Sequence, residues 1–433
     1  MMDNLVIMPN YEAYKSSGVE WLGDIPSSWN LKPGFVAFTE NKRSNKGMKE
    51  SIVLSLSYGN IVIKPEEKLV GLVPESFETY QLVEPNDIII RCTDLQNDKV
   101  SLRTGLAKDK GIITSAYLNL RVKNGFNSRF LHYYLYSLDT TKVLYKFGSG
   151  LRQNLSFLDF KRLPVFDISE VTQIAIADFL DKKTAQIDEA IAIKEQQINL
   201  LKEHKQIVIL KAVTKGLDSN ASMKDSQISG VGLIPEHWDI IFNRRIFREK
   251  SRPVKGDELP LSLSQVDGVI PSNDMKERSL SPSHRDNFKL CHPGDLVVNR
   301  FKGHLGVFFE SAYEGIVTFH YGVFEPQKEV CTKYFEHLYH TEPYKAIYAG
   351  ASNGMTVGLQ NLSNQNFYMI KSIKPPLKEQ MEICEYIDRI SAKVNLAINS
   401  IGLQIEKLKE YKTTLINSAV TGKIKIIPEM VEQ

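Results

Sequence analysis

The stretch QIAIADFLDKKTAQIDEAIAIKEQQINLLKEHKQIVILKAVTKGL, residues 173–217, is written a second time as QMEICEYIDRISAKVNLAINSIGLQIEKLKEYKTTLINSAVTGKIK, residues 380–425. Phe179-Leu180-Asp181 answers Tyr386-Ile387-Asp388, Lys202-Glu203-His204-Lys205 answers Lys409-Glu410-Tyr411-Lys412, and Ala212-Val213-Thr214 answers Ala419-Val420-Thr421, every pair 207 positions apart. In the second copy Val394, Ile398, Ile401, Ile405 and Leu408 alternate steps of four and three, the apolar seam of a coiled coil. The first copy keeps this seam at Ile187, Ile191, Ile198, Leu201 and Val208, with Lys194 and Lys205 as polar interruptions. Each copy predicts a helix of about 40 residues, ~60 Å long at 1.5 Å per residue. A single apolar stripe on a lone helix would face water, so two copies in one chain predict that the stripes pack together. An antiparallel pairing is the preferred one, because it gives the duplication a use: identical partners can dock on both sides.

The rest of the chain repeats as well. Gly23-Asp24-Ile25-Pro26-Ser27-Ser28-Trp29 is echoed by Gly232-Leu233-Ile234-Pro235-Glu236-His237-Trp238, and Leu54-Ser55-Leu56-Ser57 by Leu261-Ser262-Leu263-Ser264. Pro85-Asn86-Asp87 returns as Pro293-Gly294-Asp295, and Gln153-Asn154-Leu155-Ser156 as Gln360-Asn361-Leu362-Ser363. Within each half, β-prone runs at 52–56, 87–91 and 111–122, or 295–299 and 315–323, are bounded by turn residues. Amphipathic helices are expected at 128–137 and 332–340. Pro164 and Pro375-Pro376 mark the approach to the long helices, and Gly216 and Gly422 their ends. The expected fold class is α+β: two similar mixed domains, at 1–165 and 218–374 (the latter with its linker), joined by long helices at 166–217 and 375–433.

Among 433 residues, 42% are hydrophobic and 24% charged, and the net charge is +3, ordinary for a soluble protein and only mildly favourable to a nucleic-acid partner. No apolar run is long enough for a membrane span and no signal peptide is read at the start, so a cytoplasmic protein is expected. Cys92, Cys291, Cys331 and Cys384 lack zinc or redox spacing and are read as reduced thiols.

Three groups of residues are candidates for binding. Lys42, Arg43 and Lys46 lie among Asn, Ser and Gly, and Arg244, Arg245, Arg252 and Lys255 crowd a second such segment against one acid, Glu249. They read either as phosphate contacts or as a solvated charged face; the repetition of Arg43 at Arg252 and Lys46 at Lys255 favours DNA. Arg91, with Thr93 and Asp94, ends one β-run, and Asn299, Arg300 and Lys302 end its counterpart. Side chains that differ on a frame that does not would suit two domains that bind different targets, although strand-end variation alone gives the same pattern. Arg152, Gln153 and Asn154, paired with Gln360 and Asn361, follow glycine-rich turns that are equally open to a packing role. Lys374-Pro375-Pro376-Leu377 lacks the residues of an amino-methyltransferase motif, no Walker loop is present, and Glu66-Glu67-Lys68 has no convincing acidic partner.

With the doubled Gly-x-Ile-Pro-x-x-Trp, the two long helices and the domain ends at 147–155 and 349–362, the chain resembles the specificity subunits of type I restriction–modification systems along nearly its whole length. The resemblance implies two target-recognition domains, each reading half of a split, asymmetric site in double-stranded DNA. It implies helices that set the gap between the half-sites and dock two methyltransferase subunits, with motor–nuclease restriction subunits outside them. It implies no cofactor in this chain, with S-adenosylmethionine, ATP and Mg2+ on the partner subunits, and no catalysis of its own. A coiled-coil scaffold with two protein-binding domains is the competing reading.

Overall fold

The computed structural model describes residues 8–65, 67, 76–98, 101–148, 154–275, 287–352 and 361–432. Both repeated stretches are unbroken helices, Glu170–Lys215 and Leu377–Val420, each beginning three residues earlier than the periodicity alone indicates. The chain divides into two compact units, residues 1–194 with 403–433, and residues 195–402, so each unit owns one half of each long helix.

In the first unit the two half-helices run antiparallel. Lys412 Nζ lies 2.7 Å from both carboxylate oxygens of Asp188, and Lys194 Nζ 2.6 Å from Gln404 Oε1. In the second unit Lys205 Nζ reaches Asn395 Oδ1 at 3.4 Å. The two lysines that interrupt the seam therefore carry their ammonium groups out to amides of the opposite helix while their stems cover apolar surface. Ile187, Ile191, Val394 and Ile405 are buried, and Ile198, Leu201, Val208, Ile398, Ile401 and Leu408 are half-buried. Other apolar side chains point away from the seam: Ile193, Leu200 and Ile207 follow one another at seven-residue intervals in the open, and Leu396 and Leu403 are 70% and 64% exposed.

Each mixed domain is built on a four-stranded antiparallel sheet with one and the same strand order. In the first unit it runs Phe38–Glu40, Tyr117–Val122, Ile88–Arg91, Thr104–Leu106; in the second, Phe247–Glu249, Tyr321–Pro326, Leu296–Asn299, Phe308–Glu310. The β-prone runs at 111–122 and 315–323 each divide into two strands belonging to different ladders. Turns closed by Tyr117 N–H on Thr114 O (3.2 Å) and Tyr321 N–H on Thr318 O (3.0 Å) make the break. The helices Ser128–Thr140 and Thr332–Tyr339 stand where expected, and the second unit adds Glu342–Ala351.

Two devices join domain to helix, and both are duplicated. Gln173 and Gln380 are fully buried one turn into their helices. Gln173 Oε1 accepts from Asn127 N–H (2.8 Å) while its amide donates to Ile168 O and Gly125 O; Gln380 does the same with Cys331 N–H (2.8 Å), Pro375 O and Glu329 O. A buried amide that loses such partners costs about 1–3 kcal/mol each, so the pair fixes where each helix starts. At the other end, Gly216 and Gly422 take φ of 73° and 72°, the left-handed turn that ends a helix. A Cβ on Gly422 would collide with Pro26 and Trp29, and one on Gly216 would press Trp238. This is the physical content of the doubled Gly-x-Ile-Pro-x-x-Trp: Trp29 and Trp238, both buried, are the seats on which the long helices end. The first unit thus receives the end of the second long helix, and the second unit the end of the first.

Candidate nucleic-acid interface

In each unit a loop leaves the end of a central strand and meets the segment before the last short helix. In the first unit, Asp94 N–H donates to Asn154 Oδ1 (2.9 Å) and Leu155 N–H to Cys92 O (2.9 Å). In the second, Leu362 N–H donates to Arg300 O at 2.9 Å. The strand-end residues and the Asn154 and Asn361 segments, far apart in sequence, are therefore neighbours, and both asparagines are exposed. Arg152, Gln153 and Gln360 lie outside the described residues, as does Glu66.

The first loop is organised by a residue that the sequence reading missed. Arg103 is fully buried, and all five of its guanidinium hydrogens have acceptors. It donates to Thr93 O (2.8 Å), Arg91 O (3.3 Å), Asp94 O (3.1 Å), Asp98 O (2.5 Å) and Tyr145 Oη (3.0 Å). Its own N–H donates to Asp139 Oδ2 at 2.6 Å, and its charge lies over the Tyr145 ring. The loop is thereby held open around the cation, with Asp94 in the left-handed region (φ 60°) and Arg91 paired to Asp98 at 3.1 Å. The one signal in the sequence is an arginine set in the short run Leu102-Arg103-Thr104-Gly105-Leu106, where a surface charge would be out of place. Arg103→Lys keeps the charge but loses the planar fork. We expect amide exchange across residues 92–98 to accelerate about ten-fold or more in that variant; unchanged protection would show that Arg103 does not hold the loop.

The second loop uses other means. Asn299 is buried and caps the turn Arg300–Leu305, its Oδ1 accepting from Phe301 N–H and Lys302 N–H, so it shapes the loop from inside. Arg300 Nη2 is 2.9 Å from Glu249 Oε1, a carboxylate that also gathers Lys289 (2.9 Å) and the Asn364 amide. Lys302 is exposed, with no ion-pair partner among the described residues.

The basic segments expected to grip phosphate separate into two kinds. Lys46, Arg245, Arg248 and Lys255 are exposed; Lys42 is exposed beside Glu40 (3.0 Å), and Arg244 lies over the Phe242 ring. Arg43 bonds Asn41 Oδ1 (3.2 Å) and stays half in the open. Arg252 is different, and the expectation that it reaches DNA is corrected. Its side chain is only 11% exposed and clasps Asp295 with both terminal nitrogens, with Leu290 O and Glu325 as further acceptors. Breaking an enclosed pair of this kind costs about 3–5 kcal/mol, because it strands the remaining charge. In the first unit the matching Asp87 is held by Arg121 (3.0 and 3.1 Å), with Asn41 and Asn119, and not by Arg43. The alignment of Arg43 with Arg252 therefore joins residues of unlike duty.

His132 and His337 are enclosed, and burial pushes their imidazoles down to about 4 and about 3, neutral at ordinary pH. Among the described residues no cluster of His, Cys, Asp and Glu could hold a metal ion, and no helix is long and apolar enough to cross a membrane.

No protein-family model matches the chain. A chain from a structure concerned with complex assembly and conformational transition of the type I R-M system is similar over 92% of this chain and 98% of its own, at 13% identity and a TM-score of 0.63. The crystal structure of the HsdS subunit from Thermoanaerobacter tengcongensis is similar over the same shares at 13% identity, with a TM-score of 0.51. Two domains of one design joined by long helices, matched in these structures along nearly the whole chain, give this protein the fold of a type I restriction–modification specificity subunit.

Proposed function

We propose that the protein is the DNA-specificity subunit of a type I restriction–modification complex, each unit reading one half of a split, asymmetric site and the helices setting the gap between the halves. One observation carries this reading. The two units share strand order, domain–helix clamps and helix seats, yet the loop at 91–98 is built around a buried arginine and the loop at 299–305 around a capped turn. A constant frame with unlike loops serves the recognition of two different words. Exposed Lys46, Arg245, Arg248, Lys255 and Lys302 supply charge for phosphates, which position a protein on a duplex without reading it.

The chain performs no chemistry in this reading and acts in the cytoplasm. Two methyltransferase subunits dock on the long helices, where Ile193, Leu200, Ile207, Leu396 and Leu403 present apolar side chains to solvent. Motor–nuclease subunits join through them, and S-adenosylmethionine, ATP and Mg2+ belong to these partners.

The test measures duplex binding by the assembled complex across a salt series. Affinity should fall steeply with salt, and Lys46→Ala and Lys302→Ala should each reduce the logarithmic slope by about 1. A flat profile would favour a protein-binding scaffold. In a second arm, Leu200→Lys with Leu403→Lys should abolish capture of the methyltransferase subunit while leaving the circular dichroism unchanged; undiminished capture places docking elsewhere.

A further inference from the structure

The four cysteines look isolated in sequence, but two of them meet in the second unit: Cys331 Sγ lies 3.9 Å from Cys384 Sγ. We propose that Cys331 and Cys384 form a redox-active dithiol, a modification site at which a peroxide closes a disulfide between the domain and the second long helix.

Geometry assigns the two thiols different roles. Cys331 is half-buried at the position that starts the helix Thr332–Tyr339, the end where the helix dipole favours an anion. The Cys384 sulfur beside it, then the nearby N–H groups of Tyr334 and Lys333, hold its thiol well below the usual range against the effect of burial. It is the attacking sulfur. Cys384 is buried on the helix Leu377–Val420, and both its bond to Cys331 and its burial keep it protonated, as suits a resolving thiol. Cys92 and Cys291 are buried away from any partner thiol and pushed upward by burial, Cys92 to about 12.

The backbone around the pair is the duplicated glutamine clamp. In the first unit Asn127 stands where Cys331 does, its N–H on Gln173 as that of Cys331 is on Gln380, and Ala177 stands where Cys384 does. The frame is thus complete without sulfur, and in the second unit it holds two thiols side by side.

The chemistry balances with hydrogen peroxide as oxidant. The Cys331 thiolate attacks one peroxide oxygen, the O–O bond breaks, and hydroxide leaves to take up a proton as water, giving the sulfenic acid. Cys384 sulfur then attacks the Cys331 sulfur, its proton leaves with the departing hydroxyl as a second water, and the S–S bond forms. Two electrons pass from the dithiol to the peroxide.

The experiment treats the whole chain with hydrogen peroxide and reads intact mass and a peptide map. Wild type should lose two hydrogens, show a single cross-link between the Cys331 and Cys384 peptides, and gain roughly 5–10 °C in melting temperature. Cys384→Ser should instead trap a sulfenic acid at Cys331 that a cyclic diketone labels; Cys331→Ser should give neither product. Four free thiols in treated wild type, or a cross-link through Cys92 or Cys291, would overturn the proposal. Should a variant fold poorly, alkylation of reduced wild type decides: Cys331 must react before the other three.

Discussion

Exchange of residues 12–165 for the same segment of a subunit with different specificity is expected to change one half of the recognised word completely and leave the other intact. The segment carries every element that shapes the first loop, from the strand Ile88–Arg91 through Arg103 and Tyr145 to Asn154. It leaves the second loop, with Asn299, Arg300 and Glu249, untouched. The graft must keep Pro26 and Trp29, on which Gly422 sits, and must place no proline at position 127, whose backbone N–H the Gln173 clamp holds. The readout is a map of methylated positions made with the assembled hybrid complex. A hybrid that methylates with the first half-word unaltered refutes the assignment of that domain.

Lengthening both long helices by seven residues should widen the gap between half-sites and preserve both words. One heptad adds about 10.5 Å of helix, or about three base pairs at 3.4 Å each. Insertion in the first helix alone, beside Asp188, would keep the seam facing inward but shift one side of it by about two turns, out of register with Lys412 and the apolar partners across the seam. The addition therefore has to be matched beside Lys412, so that the antiparallel register is restored beyond the insert. A matched variant that still reads the original gap would remove the helices from any role in spacing. A variant altered in only one helix should lose solubility or cooperativity of unfolding before it changes its site.

Much of this protein is written in short-range patterns. The steps of four and three placed the seam, because side chains that share a helical face recur at that interval whatever surrounds them. The repeat located both long helices, and Pro-Asn-Asp and Pro-Gly-Asp announced turns that the structure contains, with Asn86 and Gly294 at positive φ. The repeated Trp29 and Trp238 were equally visible, but their duty was not: the helix end that each one seats lies hundreds of positions away, or just before it, and only the folded chain brings them together.

Charge was the part that sequence could not resolve. A lysine and an arginine in a basic run look alike, yet Lys255 faces solvent while Arg252 is enclosed on Asp295, 43 residues further on. Arg103 was overlooked because its acceptors are mainly backbone carbonyls, which every residue carries and which therefore leave no trace in the letters. By itself the sequence determined periodicity, duplication and the order of elements, since these follow from neighbours along the chain. Only the tertiary structure decided which cations are enclosed, which asparagine caps a turn and which thiols meet. Each of those outcomes depends on a partner brought close by folding, and burial turns that proximity into a binding role or a structural one.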